Sequence, residues 1–195
     1  MTEKLDLLVV DDTRRHQESA RELLLGHNLR IAETYSEAVD MIKDRAPQVL
    51  MTDLYFPYGE RSPTRDSYQP RALGFSLALF ASRPANNVER IAIYTDANHH
   101  SDAVSATFDS LYVCDERRDD TLDKTQQERS VNGRPVFRVN NSNLLIFDER
   151  DIRSDLYISS QGIKTYQEIR DIGEEVDYNR NVKNWKELLD LLSGL

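Results

Sequence analysis

The chain has 195 residues, 39% hydrophobic and 30% charged, a balance that supports a packed core and excludes wholesale disorder. No apolar run approaches the roughly 18 residues that cross a bilayer, and residues 1–6 (MTEKLD) lack the basic and apolar regions of a signal peptide, so no membrane association and a cytoplasmic location are expected. The net charge of −9 argues against nucleic-acid binding over the whole surface, the lone Cys114 excludes an internal disulfide or a cysteine-cluster metal site, and the scarcity of glycine leaves no Gly-rich phosphate loop to expect.

Residues 5–10 (LDLLVV) form a short apolar run closed by two acids, the pattern of a buried strand. His16, Ala20, Leu23 and Leu24 then fall on one helical face, with Gly26 placed as a C-terminal stop. Residues 29–32 read as a second strand. Ser36 is the expected cap of a second helix, whose apolar face carries Tyr35, Ala38, Val39 and Ile42 and which Pro47 ends. Residues 49–53 are a third strand, again ending in an acid. Residues 54–72 hold three prolines and read as a long loop. Gly74–Ala81 resumes as an apolar helix and Arg90–Thr95 as a fourth strand. A helix capped by Ser101 or Asp102 carries Val104, Phe108 and Leu111 on one side. Residues 115–130 have one aliphatic side chain, Leu122, in a run dominated by charge, and read as a solvated loop. Residues 135–139 and 144–147 read as strands around an Asn140-Asn141-Ser142-Asn143 turn. Residues 163–172 follow as a helix. Trp185, Leu188, Leu189 and Leu192 mark the apolar face of a C-terminal helix. Alternating strands and helices imply an α/β fold, a doubly wound and mostly parallel five-stranded sheet with helices on both faces and an inserted β-hairpin and loop region.

In such a sheet the ligand site lies beyond the carboxyl ends of the strands. Asp11, Asp12, Asp53, Thr95 and Asp96 all fall at that edge. Carboxylates gathered in one pocket repel one another unless a cation sits among them. A set of hard oxygens with an incomplete shell suits Mg²⁺, which keeps waters and takes a substrate phosphate. Taken singly, each acid reads as a helix cap or a turn residue; their shared edge is what points to a site.

Strand-Asp11-Asp12, Asp53 followed by Pro57, Gly74 opening the next helix, and strand-Thr95 resemble the receiver domain of two-component response regulators, over residues 5–111 and the C-terminal helix. The resemblance implies a flavodoxin-like receiver fold. It implies Asp53 as phosphoacceptor, taking a phosphoryl group from a histidine kinase or phosphotransfer protein. Mg²⁺ is then held by Asp11, Asp12, Asp53 and a backbone carbonyl near Tyr55, and Thr95 is the switch hydroxyl. The family also places a lysine after its fifth strand; Lys183 is the best match, with Asn184 where proline is expected. Lys183 lies far beyond Thr95, so strand five is either residues 136–139 or residues 176–178. The expectation is one receiver-like unit over 1–195, with insertions at about 58–72 and 112–180.

Arg61, Arg65 and Arg71 lie in the loop after Asp53 and read as solvated side chains or as contacts for a phosphate or an acidic partner. His99 and His100, between Asp96 and Asp102, read as capping or solvated groups, as neighbours of a phosphoryl group, or as metal ligands; His99 would also make a switch pH-sensitive. The expected function is a stand-alone, Mg²⁺-dependent phosphoacceptor that switches a surface for a downstream protein, rather than a turnover enzyme. One alternative is a divalent-metal phosphohydrolase using Asp11, Asp12 and Asp53 with His99 or His100, although its acids are adjacent rather than spaced Asp-x-Asp as in haloacid dehalogenase-type phosphatases. The other is a degenerate receiver acting as an unphosphorylated binding scaffold.

Overall fold

Six strands make the frame of the molecule: β1 (Asp6–Val10), β2 (Asn28–Ala32), β3 (Val49–Thr52), β4 (Arg90–Thr95), β5 (Phe137–Val139) and β6 (Ser142–Asp148). They lie in the order β2-β1-β3-β4-β6-β5, all parallel except β5, which runs antiparallel to β6. The structure is a computed structural model and describes residues 4–59, 71–95, 130–131, 134–148, 152 and 154–195. A two-residue ladder joins Ser130–Val131 to Arg134–Pro135 outside this sheet. The five parallel strands have the doubly wound, flavodoxin-like order, in which the chain moves outward in both directions from β1. No helix among the described residues is long and apolar enough to cross a membrane.

The central strands β1, β3, β4 and β6 are mainly apolar because both of their faces are covered. Successive side chains alternate between the faces. Leu8, Val10, Leu50, Ile91, Ile93 and Ile146 join α2 (Tyr35–Asp44) and α3 (Gly74–Ala81) in one core cluster. Leu7, Val9, Met51, Tyr94, Leu145 and Phe147 join α1 (Arg14–Leu23) and a C-terminal helix (Trp185–Ser193) in the other.

The fifth parallel strand is β6, and neither residues 136–139 nor residues 176–178 take that place. Both faces of that position are covered, and the alternating Leu144, Leu145, Ile146 and Phe147 are all buried. Residues 137–139 form an antiparallel edge instead, joined to β6 by Asn140-Asn141, with Asn140 at φ 53°. Asparagine tolerates that left-handed backbone better than most residues. The hairpin expected as an insertion is therefore the edge of the main sheet. Residues 176–178 lead into a 3₁₀ turn, Tyr178–Arg180, whose Asp177 caps it by accepting from the Asn179 N–H.

Three helix ends differ from expectation. Residues 163–165 of the helix expected over 163–172 are strand, and the helix starts at Tyr166 after its Thr165 cap. α1 stops at Leu23, before Gly26, with the Leu24 N–H donating to the Ala20 carbonyl. α2 is capped by Thr34, whose Oγ1 accepts from the Glu37 N–H at 3.2 Å. Ser36 is already inside the helix and donates to the Tyr58 carbonyl, which docks the loop after β3 onto α2.

After β6 the chain makes an excursion. Strands β7 (Leu156–Ser159) and β8 (Gly162–Thr165) form a hairpin, followed by the short helix α4 (Tyr166–Asp171) with a Thr165–Glu168 capping box. The ends of the excursion meet. The Val182 N–H donates to the Leu156 carbonyl at 2.9 Å, and the Asn181 amide donates to the Ser154 and Leu156 carbonyls. The hairpin rests on α1, where the Ile163 N–H donates to Glu22 Oε1 at 2.8 Å. The closing helix is α5 (Trp185–Ser193).

Gly74 is required where α3 begins. A β-carbon there would lie 2.5 Å from the Asp53 carbonyl oxygen and 3.0 Å from Leu54 Cα, both backbone atoms with no freedom to retreat. Gly74→Ala should therefore cost about 1–3 kcal/mol, the range for forcing an extra methyl into packed structure. Gly26→Ala, where a β-carbon meets nothing within 4 Å, should be close to neutral. Urea titrations of the two variants check this: the midpoint should fall for the first only.

Candidate functional site

Backbone register brings the acids together. Val10 pairs with Thr52, so the next residues, Asp11 and Asp53, stand side by side beyond the strand ends. The ladder continues through them: the Asp11 N–H donates to the Ala32 carbonyl at 3.1 Å and the Asp53 N–H to the Val10 carbonyl at 2.8 Å. Local hydrogen bonds orient the carboxylates. Asp11 Oδ1 accepts from the Thr13 N–H at 2.9 Å and Asp53 Oδ1 from the Leu54 N–H at 2.7 Å. Carboxylate oxygens of Asp11, Asp12 and Asp53 all lie within 4.8 Å of one another. Asp11 and Asp53 are buried and Asp12 is half-buried. Thr95, fully buried, ends β4 at the same edge of the sheet. Tyr55 follows Asp53 by two residues and packs on the core under α2 and α3.

Lys183 reaches this cluster. Its side chain is 1% exposed, and Nζ lies 2.7 Å from Asp11 Oδ2 and 3.2 Å from Asp53 Oδ1. The rings of Tyr94 and Trp185, packed edge to face on each other, lie beside the ammonium with centroids at 5.6 and 5.4 Å. A buried ammonium needs such partners, since desolvation without them is prohibitive. Three carboxylates against one ammonium still leave negative charge in excess among these four groups. Hard oxygens with that excess suit a divalent cation such as Mg²⁺.

Polar side chains of α1 hold both charge partners by their backbones. His16 Nδ1 accepts from the Lys183 N–H at 3.2 Å, and the His16 carbonyl accepts from Trp185 Nε1–H at 2.8 Å. The Ser19 hydroxyl lies 2.8 Å from the His16 carbonyl and 3.2 Å from the Lys183 carbonyl, and its one proton is shared between them. Gln17 Nε2 donates to the Asp11 carbonyl at 2.8 Å. Asn184, standing where the resemblance expects proline, caps α5 by accepting from the Glu187 N–H. Asp12 also lines an open groove of about 880 Å³ along α2, with Glu33, Glu37, Asp40 and Asp44.

Of the residues singled out in the sequence, Asp11, Asp12, Asp53 and Lys183 thus meet in one cluster, with Thr95 and Tyr55 on the flanking strand end and loop. Arg71 is exposed, and its backbone pairs with Phe56 across the base of the loop. Arg61, Arg65, Asp96, His99, His100, Cys114 and the helix expected after Ser101 lie outside the described residues. The sequence reading put His16 on an apolar face and did not single out Gln17 or Ser19. The signal for them was polar residues on the same helical face as Ala20, a face that must turn inward.

No family model matches the chain, and no curated protein matches it. Among solved structures it is similar to the response regulator NtrX from Brucella abortus, at 22% identity and a TM-score of 0.39 over 59% of this chain. The matched region spans 26% of that protein's length.

Removing one partner from a buried ion cluster leaves the others uncompensated. Lys183→Met keeps the length of the side chain but leaves Asp11 and Asp53 without their ammonium. It should destabilise the fold by about 3 kcal/mol, read from urea unfolding at neutral pH.

Proposed function

We propose that this chain is a receiver-type phosphoacceptor that switches the binding of a downstream protein. The observation that carries the reading is the cluster itself: three carboxylates within 4.8 Å at the carboxyl edge of a parallel sheet, with a buried ammonium on two of them. Asp53 is the nucleophile. A carboxylate oxygen of Asp53 attacks the phosphorus of a phosphohistidine on a histidine kinase or phosphotransfer protein. The P–N bond breaks, its electron pair goes to the imidazole, and the ring takes one proton from water at its other nitrogen, so that it leaves as neutral imidazole.

Asp11, Asp12 and Asp53 would hold Mg²⁺ together with the backbone carbonyl of Tyr55. When bound, that ion supplies charge neutralisation on the transferring phosphoryl group. The acidic groove beside Asp12 favours cations near the site through its field. Lys183 turns its ammonium from the carboxylates to the phosphoryl oxygens, and the Thr95 hydroxyl donates to the same group. Movement of these two groups, driven by the added charge, changes the surface that a partner reads. The chain acts as one unit over 1–195, with its surplus residues at about 58–72 and, within 112–180, on either side of the β5–β6 hairpin, which belongs to the main sheet.

The test is incubation with Mg²⁺ and acetyl phosphate. The expected result is a mass gain of one phosphoryl group, absent in Asp53→Asn and absent with EDTA. No gain in a wild-type protein that binds Mg²⁺ overturns the reading. Trp185, the sole tryptophan, gives a second signal because the Lys183 ammonium lies over its ring. Its fluorescence should change on phosphorylation, and Asp53→Asn should abolish the change.

A further inference from the structure

We propose that one turn of α1, from His16 to Ser19, is a positioning device for the lysine of the site, with His16 as its principal member. The effect on phosphoryl transfer rests on the phosphoacceptor reading above; the effect on where Lys183 sits does not.

His16, Gln17 and Ser19 are buried at 2%, 3% and 0% exposure, on a helix face where apolar side chains would be expected. Buried polar groups are retained where they have partners. The partners here are the backbones of the residues that carry opposite charges in the cluster. His16 and Ser19 hold the N–H and the carbonyl of Lys183, and Gln17 holds the carbonyl of Asp11. His16 also takes the indole N–H of Trp185, whose ring flanks the lysine ammonium. One helical turn therefore sets the distance between the two chain segments that meet through the Lys183–Asp11 ion pair.

The need for such a device follows from the route of the chain. Lys183 does not continue a strand of the main sheet. It arrives after the excursion, whose last ladder-like bond is from Val182 to Leu156. The next N–H, that of Lys183, is received by His16 Nδ1, so the imidazole carries its proton elsewhere than on Nδ1. A lysine side chain has a long flexible stem. Contacts to its backbone N–H and carbonyl fix where that stem starts, and so limit where the ammonium can reach. A displacement of about 1 Å in a reacting constellation costs on the order of 100-fold in rate.

The experiment compares His16→Leu, which fills the space without an acceptor, with His16→Asn, whose Oδ1 can stand near the position of Nδ1. The first readout needs no phosphoryl chemistry: reductive methylation of the folded protein, with the modified lysines mapped by mass spectrometry. Lys183 should be protected in the wild type and in His16→Asn, and should become reactive in His16→Leu. The second readout is the rate of phosphorylation by acetyl phosphate at saturating Mg²⁺. It should fall on the order of 100-fold in His16→Leu and recover most of that loss in His16→Asn, with Mg²⁺ affinity little changed. If His16→Leu does not fold by circular dichroism, Ser19→Ala takes its place and should raise Lys183 methylation severalfold. Lys183 as protected in a folded His16→Leu or Ser19→Ala as in the wild type overturns the proposal. If the methylation pattern holds and the wild type accepts no phosphoryl group, the positioning role stands and the phosphoacceptor reading fails.

Discussion

Carboxylates crowded at one edge of a sheet repel one another, and among the described residues a buried ammonium answers that constraint. Lys183 sits between Asp11 and Asp53, closer to the first, with the Tyr94 and Trp185 rings packed edge to face beside it. Without it, burial of these two carboxylates would cost several kcal/mol. The remaining architecture can be understood as what it takes to bring a lysine from near the C-terminus to acids set on the first and third strands.

Two kinds of structure do this work. The acids are placed by the sheet. Their backbones extend the hydrogen-bond ladder by one residue past β1 and β3, so their separation is set by the spacing of parallel strands. The lysine is placed by side chains. The excursion returns to its starting point through the Leu156–Val182 bond and the Asn181 amide, and its hairpin is tied to α1 through Glu22. Loop-closure cost grows only slowly with length, so an excursion of this size is tolerated once its ends are pinned. α1 then fixes the next residue.

The legibility of the sequence divides along the same line. Asp11, Asp12 and Asp53 were readable because the strand rule places residues by pattern alone: a buried apolar run followed by an acid has one place to put that acid. α3 and β4 were readable to the residue, since Gly74 and Thr95 bound clean apolar segments. The fifth strand was not identified as such. Its polar first residues, Ser142 and Asn143, look like turn residues, and only the pairing of Asn143 with Arg90 in β4 and of Ser142 with Val139 in β5 shows that they belong to the strand. Thr34 and Ser36 both suit a cap, and the choice between them was decided by the loop that Ser36 holds. Lys183 was reached through a resemblance and not through spacing. His16, Gln17 and Ser19 were missed in their role because a helical period counts faces and cannot say which distant backbone a polar side chain will meet.

That last failure carries a physical point. A sheet core of apolar side chains can be repacked with little change in outcome, but a buried charge cluster needs every member satisfied. In this fold the two systems share α1. Ala20 and Leu24 belong to the apolar cluster with α5, while His16, Gln17 and Ser19, one turn earlier, serve the ions. The apolar half anchors the helix, and the anchored helix gives the polar half a fixed origin from which to hold Lys183 and Asp11. Stability from the core is thereby converted into precision at an edge that electrostatics alone would push apart.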